Sequence, residues 1–259
     1  MPCNDQQRVD LLLGIARCPI MLQLIDVPNP AHACSDVVGA QVGIPGYLTH
    51  QAPEPWNGNL HAAKILFISS NPSISQLEQY PNIDATDHHL IQFFTQRFGV
   101  FPESPIESGR RVLNIDGSRS RAVPFLSWVR CRVAELLQIA ADQVNPGIDY
   151  ALTEVVHCKS LGELGVQRAS EHCGDHFLKR ILNCSGAAIF VFVGDRAAEM
   201  ADHLFGINPG ERIQGPRALL GLQRMMAFLP HPNSHKPCKF VNVCEPNDVR
   251  QIRQFLASA

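Results

Sequence analysis

The stretch Lys64–Ser75, KILFISSNPSIS, contains the first core strand of the chain and the polar loop that follows it. Its first half is a short apolar run rich in β-branched residues, which predicts a buried strand over Lys64–Ser69. Pro72 ends that strand, because proline cannot continue a ladder and favours an extended conformation for the residue before it. Asn71 therefore belongs at the carboxyl end of a buried strand, where open α/β sheets bind ligands. The alternative is an ordinary strand-to-helix turn, with Ser73 as the helix cap.

Composition limits the class of protein. The chain has 259 residues, of which 45% are hydrophobic, and this suffices for one large domain. Its net charge of −2 gives no overall positive field, so any surface that binds nucleic acid must be local. The longest apolar run is too short to span a bilayer, and the N-terminus MPCNDQQR lacks a signal-peptide pattern. We therefore expect a soluble cytoplasmic protein, in which nine cysteines indicate buried thiols or metal ligands rather than disulfides.

Apolar strands alternate with amphipathic helices along the rest of the chain. The other predicted strands are Tyr150–His157, Ala187–Val193 and Met225–Leu229. The predicted helices are Asp5–Arg17, Asp87–Phe98, Pro124–Ala140, Arg168–Asn183, Arg196–Phe205 and Glu245–Ala259. Residues 18–63 are rich in proline, glycine and small residues, which predicts an irregular segment wrapped around the same domain. The alternation predicts a three-layer α/β/α fold with a mainly parallel, four-stranded central sheet in a single domain over 1–259.

Polar residues stand where the predicted strands end. Asn71 follows the first strand, Asp195 follows the third and His231 follows the fourth, while Glu154 interrupts the second. Because the carboxyl ends of parallel strands share one edge of a sheet, we expect these four side chains to meet in one crevice.

Two of these loops, taken with the middle of the chain, resemble the uracil-DNA glycosylase superfamily. SSNPS after a strand and HPNSH after a later strand resemble its two signature motifs. The run TEVVHCKS, with Cys173 fifteen positions after Cys158, resembles its iron–sulfur branch. The similarity extends from about Lys64 to Ser234, with large gaps. It implies the α/β/α fold of that superfamily and a DNA partner that carries a damaged base.

The resemblance also implies roles for individual residues. Asn71 would hold the attacking water with its side-chain carbonyl, since a neutral amide cannot serve as a strong base, and His231 would donate a hydrogen bond to the departing base. Without the Pro-Asn-Ser that follows it, His231 would read as an ordinary loop histidine. The residues implied to bind the base are Ser70, Ser73, Phe94, Phe98, Glu154 and Asn233. Either phenylalanine could stack on the base, although aromatics at helical spacing are more often core residues.

Glu154 departs from the motif of that branch. It stands where an asparagine usually reads the uracil edge, and an ionised carboxylate accepts hydrogen bonds but cannot donate them. A base with an amino group would suit an ionised Glu154 better than uracil, whereas burial could keep the group protonated. The alternative is a glutamate paired with Lys159 or an arginine, without a role in binding substrate.

Four cysteines are candidate metal ligands. Cys158 and Cys173 match the two downstream ligands of the iron–sulfur branch, and Cys18 and Cys34 are the candidates for the upstream pair, which is more closely spaced in that branch. Four thiolates suit an iron–sulfur cluster or zinc, and buried free thiols are the alternative. The remaining Cys131, Cys184, Cys238 and Cys244 are interpreted as core or surface residues.

Basic residues gather in a predicted polar loop over 99–123 and after the second motif. The candidate phosphate contacts are Arg110, Arg111, Arg119, Arg121 and Lys236, with Ser234 and His235 beside the last of these. A charged loop is, however, most often simply solvated.

The leading functional hypothesis is a monomeric DNA glycosylase that hydrolyses the N-glycosidic bond of a deaminated or damaged base in base excision repair. The alternative is a catalytically weak or inactive module of the same fold that binds nucleic acid or a nucleotide. An unrelated nucleotide hydrolase is disfavoured, because the chain has neither a phosphate-binding Gly-Lys loop nor a Gly-x-Ser-x-Gly elbow.

Overall fold

The structure is a computed structural model that describes residues 3–42, 50–99 and 104–258. Its strands are β1 (Ile65–Ser69), β2 (Ile106–Glu107), β3 (Arg111–Val112), β4 (Tyr150–Glu154), β5 (Ile189–Val193), β6 (Ile213–Leu219) and β7 (Leu222–Leu229). Its helices are α1 (Asp5–Ala16), α2 (Pro19–Asp26), α3 (Ser35–Val42), α4 (Asp87–Thr95), α5 (Pro124–Leu137), α6 (Val166–Cys173), α7 (Lys179–Cys184), α8 (Asp195–Phe205), α9 (Phe240–Val243) and α10 (Pro246–Ser258). A π-helical turn, Gly174–Leu178, joins α6 to α7.

The central sheet has the strand order β4-β1-β5-β7-β6. The first four strands of this order are parallel to one another, and β6 pairs antiparallel with β7. The predicted α/β class and mainly parallel sheet are therefore confirmed, with five strands instead of four. β6 escaped prediction because it is an edge strand whose sequence, IQGPRAL, lacks an alternating apolar pattern and contains a glycine and a proline.

Alternate residues of the strands face opposite sides of the sheet and form two cores. Leu66 and Ile68 of β1 belong to the core shared with α1–α3 and α6–α8. Ile65 and Phe67 belong to the core shared with α5, α9 and α10. The sheet is thus covered on both faces, as in the predicted three-layer arrangement.

The predicted irregular segment 18–63 contains two helices, so that prediction is wrong for part of it. α2 and α3 are each eight residues long, and Pro19 occupies the first turn of α2, where its missing N–H costs nothing. Short helices give little periodic signal, which is why composition favoured a loop. Residues 43–49 of this segment lie outside the described residues, as do residues 100–103 of the predicted polar loop. The described remainder of that loop includes the ribbon β2–β3.

Cys3 and Cys184 form a disulfide that joins the start of the chain to the end of α7. The expectation of free thiols is wrong for this pair. The two residues are 181 positions apart in sequence, and only folding brings their Cα atoms to 4.9 Å. Within the described ranges, no helix has the length and apolar character needed to cross a membrane.

Candidate functional site

A cleft of about 730 Å³ opens at the carboxyl ends of the parallel strands. Asn71, Glu154 and His231 all line it, which confirms the predicted convergence of these three side chains. Asp195 does not line the cleft and is exposed at the start of α8, so the prediction is wrong for this residue.

Strand register explains the convergence. Ser69 is level with Glu154, and the register continues across β5 to Leu229, so that all four parallel strands end together. Gly194 follows β5 with a positive φ of 83°, and a Cβ atom there would lie 3.3 Å from Cβ of His231. A glycine at this position therefore lets the loop after β7 approach the end of β5.

The Asn71 side chain has a defined orientation. Its Nδ2 atom donates to the carbonyl oxygen of Pro72 and to Oγ of Ser160, both at 3.0 Å. Because the Pro72 carbonyl can only accept a hydrogen bond, the amide nitrogen must face it. The carbonyl oxygen of Asn71 is thereby left to accept a hydrogen bond from a water or a ligand.

His231 is held as a neutral donor. The backbone N–H of Asn233 donates to Nδ1 of His231 at 3.2 Å, so in the neutral ring the proton is on Nε2. Burial lowers the pKa of His231, an effect that the carboxylate of Glu163 opposes. Phe125 stacks on the imidazole with ring centroids 5.7 Å apart and fixes its plane.

Glu154 is buried, with 6% of its surface exposed, and its Oε2 accepts a hydrogen bond from Oγ of Ser69. Burial raises the pKa of Glu154 to about 8. The Ser69 hydrogen bond and the charge of Lys159 lower it, whereas the carboxylates of Glu54 and Glu163 raise it further. At neutral pH the group is therefore mainly a carboxylic acid, with one O–H donor and one carbonyl acceptor. The ion pair with Lys159 considered from the sequence does not form, because Lys159 binds Glu78 instead.

The residues predicted to bind a base are only partly brought together. Ser70, Ser73 and Asn233 line the cleft. Phe94 is fully buried against Tyr80 and Phe93, and Phe98 packs on Tyr150, so neither aromatic reaches the cleft.

Phe125 is an aromatic residue that lines the cleft and that sequence reasoning missed. An apolar residue inside the predicted helix Pro124–Ala140 is expected in the core rather than in a cleft. The available signal was the place of Phe125 in the first turn of that helix, directly after a polar loop.

Only some of the predicted phosphate contacts line the cleft. Arg119 and Arg121 line the cleft, whereas Arg110 and Arg111 are exposed outside it. Ser234, His235 and Lys236 do not line the cleft but continue the loop of His231, and the latter two are exposed.

A network of four buried charges forms the floor of the cleft. Its members, which we call the floor network, are Glu54, Glu78, Arg97 and Lys159. Nη2 of Arg97 lies 3.0 Å from Glu54 and 2.9 Å from Glu78. Nζ of Lys159 lies 2.9 Å from Glu78 and 3.6 Å from the centre of the Tyr80 ring. Although burial raises the pKa of Glu78, Lys159 and Arg97 together hold it at about 2.

Cys18, Cys34, Cys158 and Cys173 are all buried and line one small, enclosed cavity, together with apolar residues and the histidines His172 and His176. Burial raises the pKa of Cys158, and the three other thiols raise it further. Backbone hydrogen bonds from Met21 and Ile20 oppose the raised pKa of Cys18, which stands at the amino end of α2. Such contacts favour the thiolate, the form that binds metal.

A zinc ion and an iron–sulfur cluster place different demands on the thiols of this cavity. Within residues 3–42, 50–99 and 104–258, no group of three or more Cys, His, Asp or Glu side chains is arranged to hold a metal ion. Ligands of one zinc ion converge on a single centre, whereas cysteines around a cluster bind different iron atoms and stand farther apart. Either group would draw on the four thiols that line this cavity.

Comparison with known proteins gives no assignment: no protein-family model matches the chain, and no curated protein matches it significantly. What the cleft can do is therefore inferred from its own residues.

We predict that Arg97→Met destabilises the protein by roughly 3–5 kcal/mol, because it leaves two buried carboxylates with only one buried cation. Urea denaturation would measure the loss. The matched control is Arg121→Met at the exposed rim of the same cleft, which should change stability by less than about 0.5 kcal/mol. A loss below about 1 kcal/mol in Arg97→Met would contradict a structural role for the floor network.

Proposed function

We propose that the chain is a DNA glycosylase that hydrolyses the N-glycosidic bond of a damaged or deaminated base. The observation that carries the proposal is the pairing, in one cleft, of an acceptor on Asn71 with a neutral donor on His231. Hydrolysis needs both: an acceptor to hold water against the sugar, and a donor for the anionic base that departs.

The roles follow from the orientations of the two side chains. The carbonyl oxygen of Asn71 accepts a hydrogen bond from the attacking water and positions it, because the amide nitrogen is committed to Pro72 and Ser160. Nε2–H of His231 donates to the base as negative charge develops on it, since Nδ1 accepts from Asn233. Phe125 lines the cleft and, stacked on the imidazole of His231, offers an apolar contact to an extruded base. Arg119 and Arg121 supply positive charge for phosphate at the cleft rim.

Glu154 adapts the cleft to a base that carries a carbonyl group. An ionised Glu154 would repel a carbonyl oxygen. As a carboxylic acid, Glu154 instead donates a hydrogen bond to that oxygen, as an amide does. The side chain is ionised only above a pH of about 8. Deaminated bases, which present carbonyls where the parent bases present amino groups, therefore suit it at neutral pH.

We also propose that Cys18, Cys34, Cys158 and Cys173 hold an iron–sulfur cluster. The support is the cavity that all four thiols share. Four thiolate bonds would cross-link α2 and α3 to the segment after β4 and to α6, which stabilises the fold.

The second candidate function is a binding module of the same fold without catalysis. The net charge of −2 favours it, because a glycosylase must bind a polyanion. Excision activity separates the two candidates.

Asn71→Ala and His231→Ala should each lower the single-turnover excision rate by roughly two to three decades, the size of effect seen when one stabilising group is lost. The measurement uses oligonucleotides that carry uracil, hypoxanthine or xanthine, in duplex and single-stranded form. DNA binding should weaken much less, because phosphate contacts provide most of the affinity.

The controls for this test are Asn183→Ala and His203→Ala, which remove the same residue types outside the cleft. Unchanged rates in the Asn71 and His231 variants would assign both residues a structural role. Absence of excision on every base with the wild-type protein would favour the binding module.

Glu154→Gln should remove a pH dependence from both stability and excision. The folded-state pKa of Glu154 is raised to about 8, above the unfolded value of roughly 4.3, so the wild-type protein loses stability as pH rises between these values. The isosteric amide stays neutral and donates at every pH. Relative to this variant, wild-type stability should fall as pH rises from about 4.3 to about 8 and then level off, whereas excision of carbonyl-bearing bases should fall at about pH 8 and above. Parallel pH profiles for the two proteins would show that Glu154 is ionised throughout.

Anaerobically purified protein should be brown and contain iron. Cys158→Ala should lose the colour and be less stable, because cluster binding and folding are coupled. Cys131→Ala, at an exposed thiol, is the control and should keep both iron and stability. Colourless wild-type protein without iron would exclude the cluster, and zinc in its place would identify the alternative.

A further inference from the structure

Asn57 lies on the floor of the cleft beside Glu154, with 4% of its surface exposed. Its backbone is fixed by Leu152 of β4: the Asn57 N–H donates to Leu152 at 2.8 Å, and the Leu152 N–H donates back at 2.9 Å. Both bonds are made by the main chain. The position of residue 57 is therefore set by the strand and not by its own side chain.

The orientation of the Asn57 amide is set by Glu54. Nδ2 of Asn57 donates to Oε1 of Glu54 at 2.6 Å, while Oε2 of Glu54 accepts from Arg97 at 3.0 Å. A carboxylate has only acceptors to offer, so the NH₂ group must be the side of the amide that faces it. The carbonyl oxygen, Oδ1, consequently points away from Glu54.

That carbonyl oxygen is buried and has no hydrogen-bond partner among the described residues. A buried acceptor without a partner is unfavourable, so this oxygen favours a ligand that brings a hydrogen-bond donor into the cleft. The hydroxyl of Ser70, another buried residue that lines the cleft, also lacks a partner in the described part of the chain. An acceptor and a hydroxyl are thus both unsatisfied in the cavity that holds Asn71 and His231.

We propose that Asn57 is a specificity-determining residue of this cleft, whose side-chain carbonyl accepts a hydrogen bond from a ring N–H of the bound heterocycle. The inference rests on the proposed function, which brings a base into the cleft. It names a class of ligand: a lactam or imide, in which an N–H adjoins a carbonyl. Ser70 and Glu154 are the neighbouring hydroxyl donors for that carbonyl. A ring methylated at this nitrogen has no donor and puts a methyl group against Oδ1.

Binding of free heterocycles tests the inference without excision. The probes are 1-methyluracil against 1,3-dimethyluracil, and 9-methylhypoxanthine against 1,9-dimethylhypoxanthine, titrated into the full-length protein at pH 7 and followed by NMR. For at least one ring type, the wild-type protein should bind the N–H form roughly tenfold or more tightly than the N-methyl form, because methylation leaves a buried acceptor unpaired. Equal affinity within both pairs, or no binding of any probe, would overturn the inference.

Asn57→Leu and Asn57→Ala should each reduce that preference to about twofold or less, because neither retains the acceptor. Their main-chain bonds to Leu152 are retained, and circular dichroism checks the fold of each variant. Asn183→Leu, an exposed amide outside the cleft, is the matched control and should keep the full preference. A preference retained in either folded Asn57 variant would overturn the inference. If the preference depends on Asn57 but the protein excises no base, the inference stands and the proposed catalysis fails.

Discussion

The floor network is the interaction on which the cleft depends. Its four residues come from four separate segments: Glu54 precedes β1, Glu78 follows β1, Arg97 follows α4 and Lys159 follows β4. Burying each of these charges alone would cost several kcal/mol in desolvation. The two cations and two carboxylates are stable in the interior only because they pair with one another. The network therefore ties these loops to one another at the carboxyl edge of the sheet. It also leaves one oxygen of Glu54 to orient Asn57.

The same network explains why two carboxyl groups in one cleft behave in opposite ways. Arg97 and Lys159 are held by Glu78 and Glu54, so the pKa of Glu78 falls to about 2. Among the described residues, Glu154 makes no ion pair and accepts a hydrogen bond from the hydroxyl of Ser69, so burial raises its pKa to about 8. A neutral donor on Glu154 therefore lies in the same cleft as the charged floor network. Carboxyl groups whose pKa values are pushed apart in this way are a recurring feature of functional sites.

The sequence predicted those parts of the site that depend on strand ends. Asn71, Glu154 and His231 were expected to meet because parallel strands align their carboxyl ends, and the observed register does align them. The four cysteines likewise share one cavity, although the segment that holds Cys18 and Cys34, each directly before a helix, was predicted to be irregular.

What the sequence could not predict was set by contacts between distant segments. Phe94 and Phe98 were candidates to stack on a base, but aromatics at helical spacing packed into the core. Phe125 lines the cleft although it belongs to helix α5, because it lies in the first turn after the polar loop. Asn57, Glu54 and Arg97 carry no local motif, and their roles arise only when loops far apart in sequence meet. The disulfide between Cys3 and Cys184 likewise joins segments that are far apart in sequence.

The reacting groups that we assign are all neutral, and this sets the pH range of the proposed reaction. Asn71 has no charge to lose, the pKa of His231 is lowered by burial, and the pKa of Glu154 is raised to about 8. At a pH between the pKa of His231 and the pKa of Glu154, the cleft presents three neutral groups. Asn71 is the acceptor for water, His231 is the donor proposed for the departing base, and Glu154 is the donor proposed for a carbonyl. Below the pKa of His231 the imidazole gains a charge, and above the pKa of Glu154 the carboxyl group loses its donor. Since all three groups must be uncharged at once, the cleft is suited to stabilise charge that develops during bond cleavage.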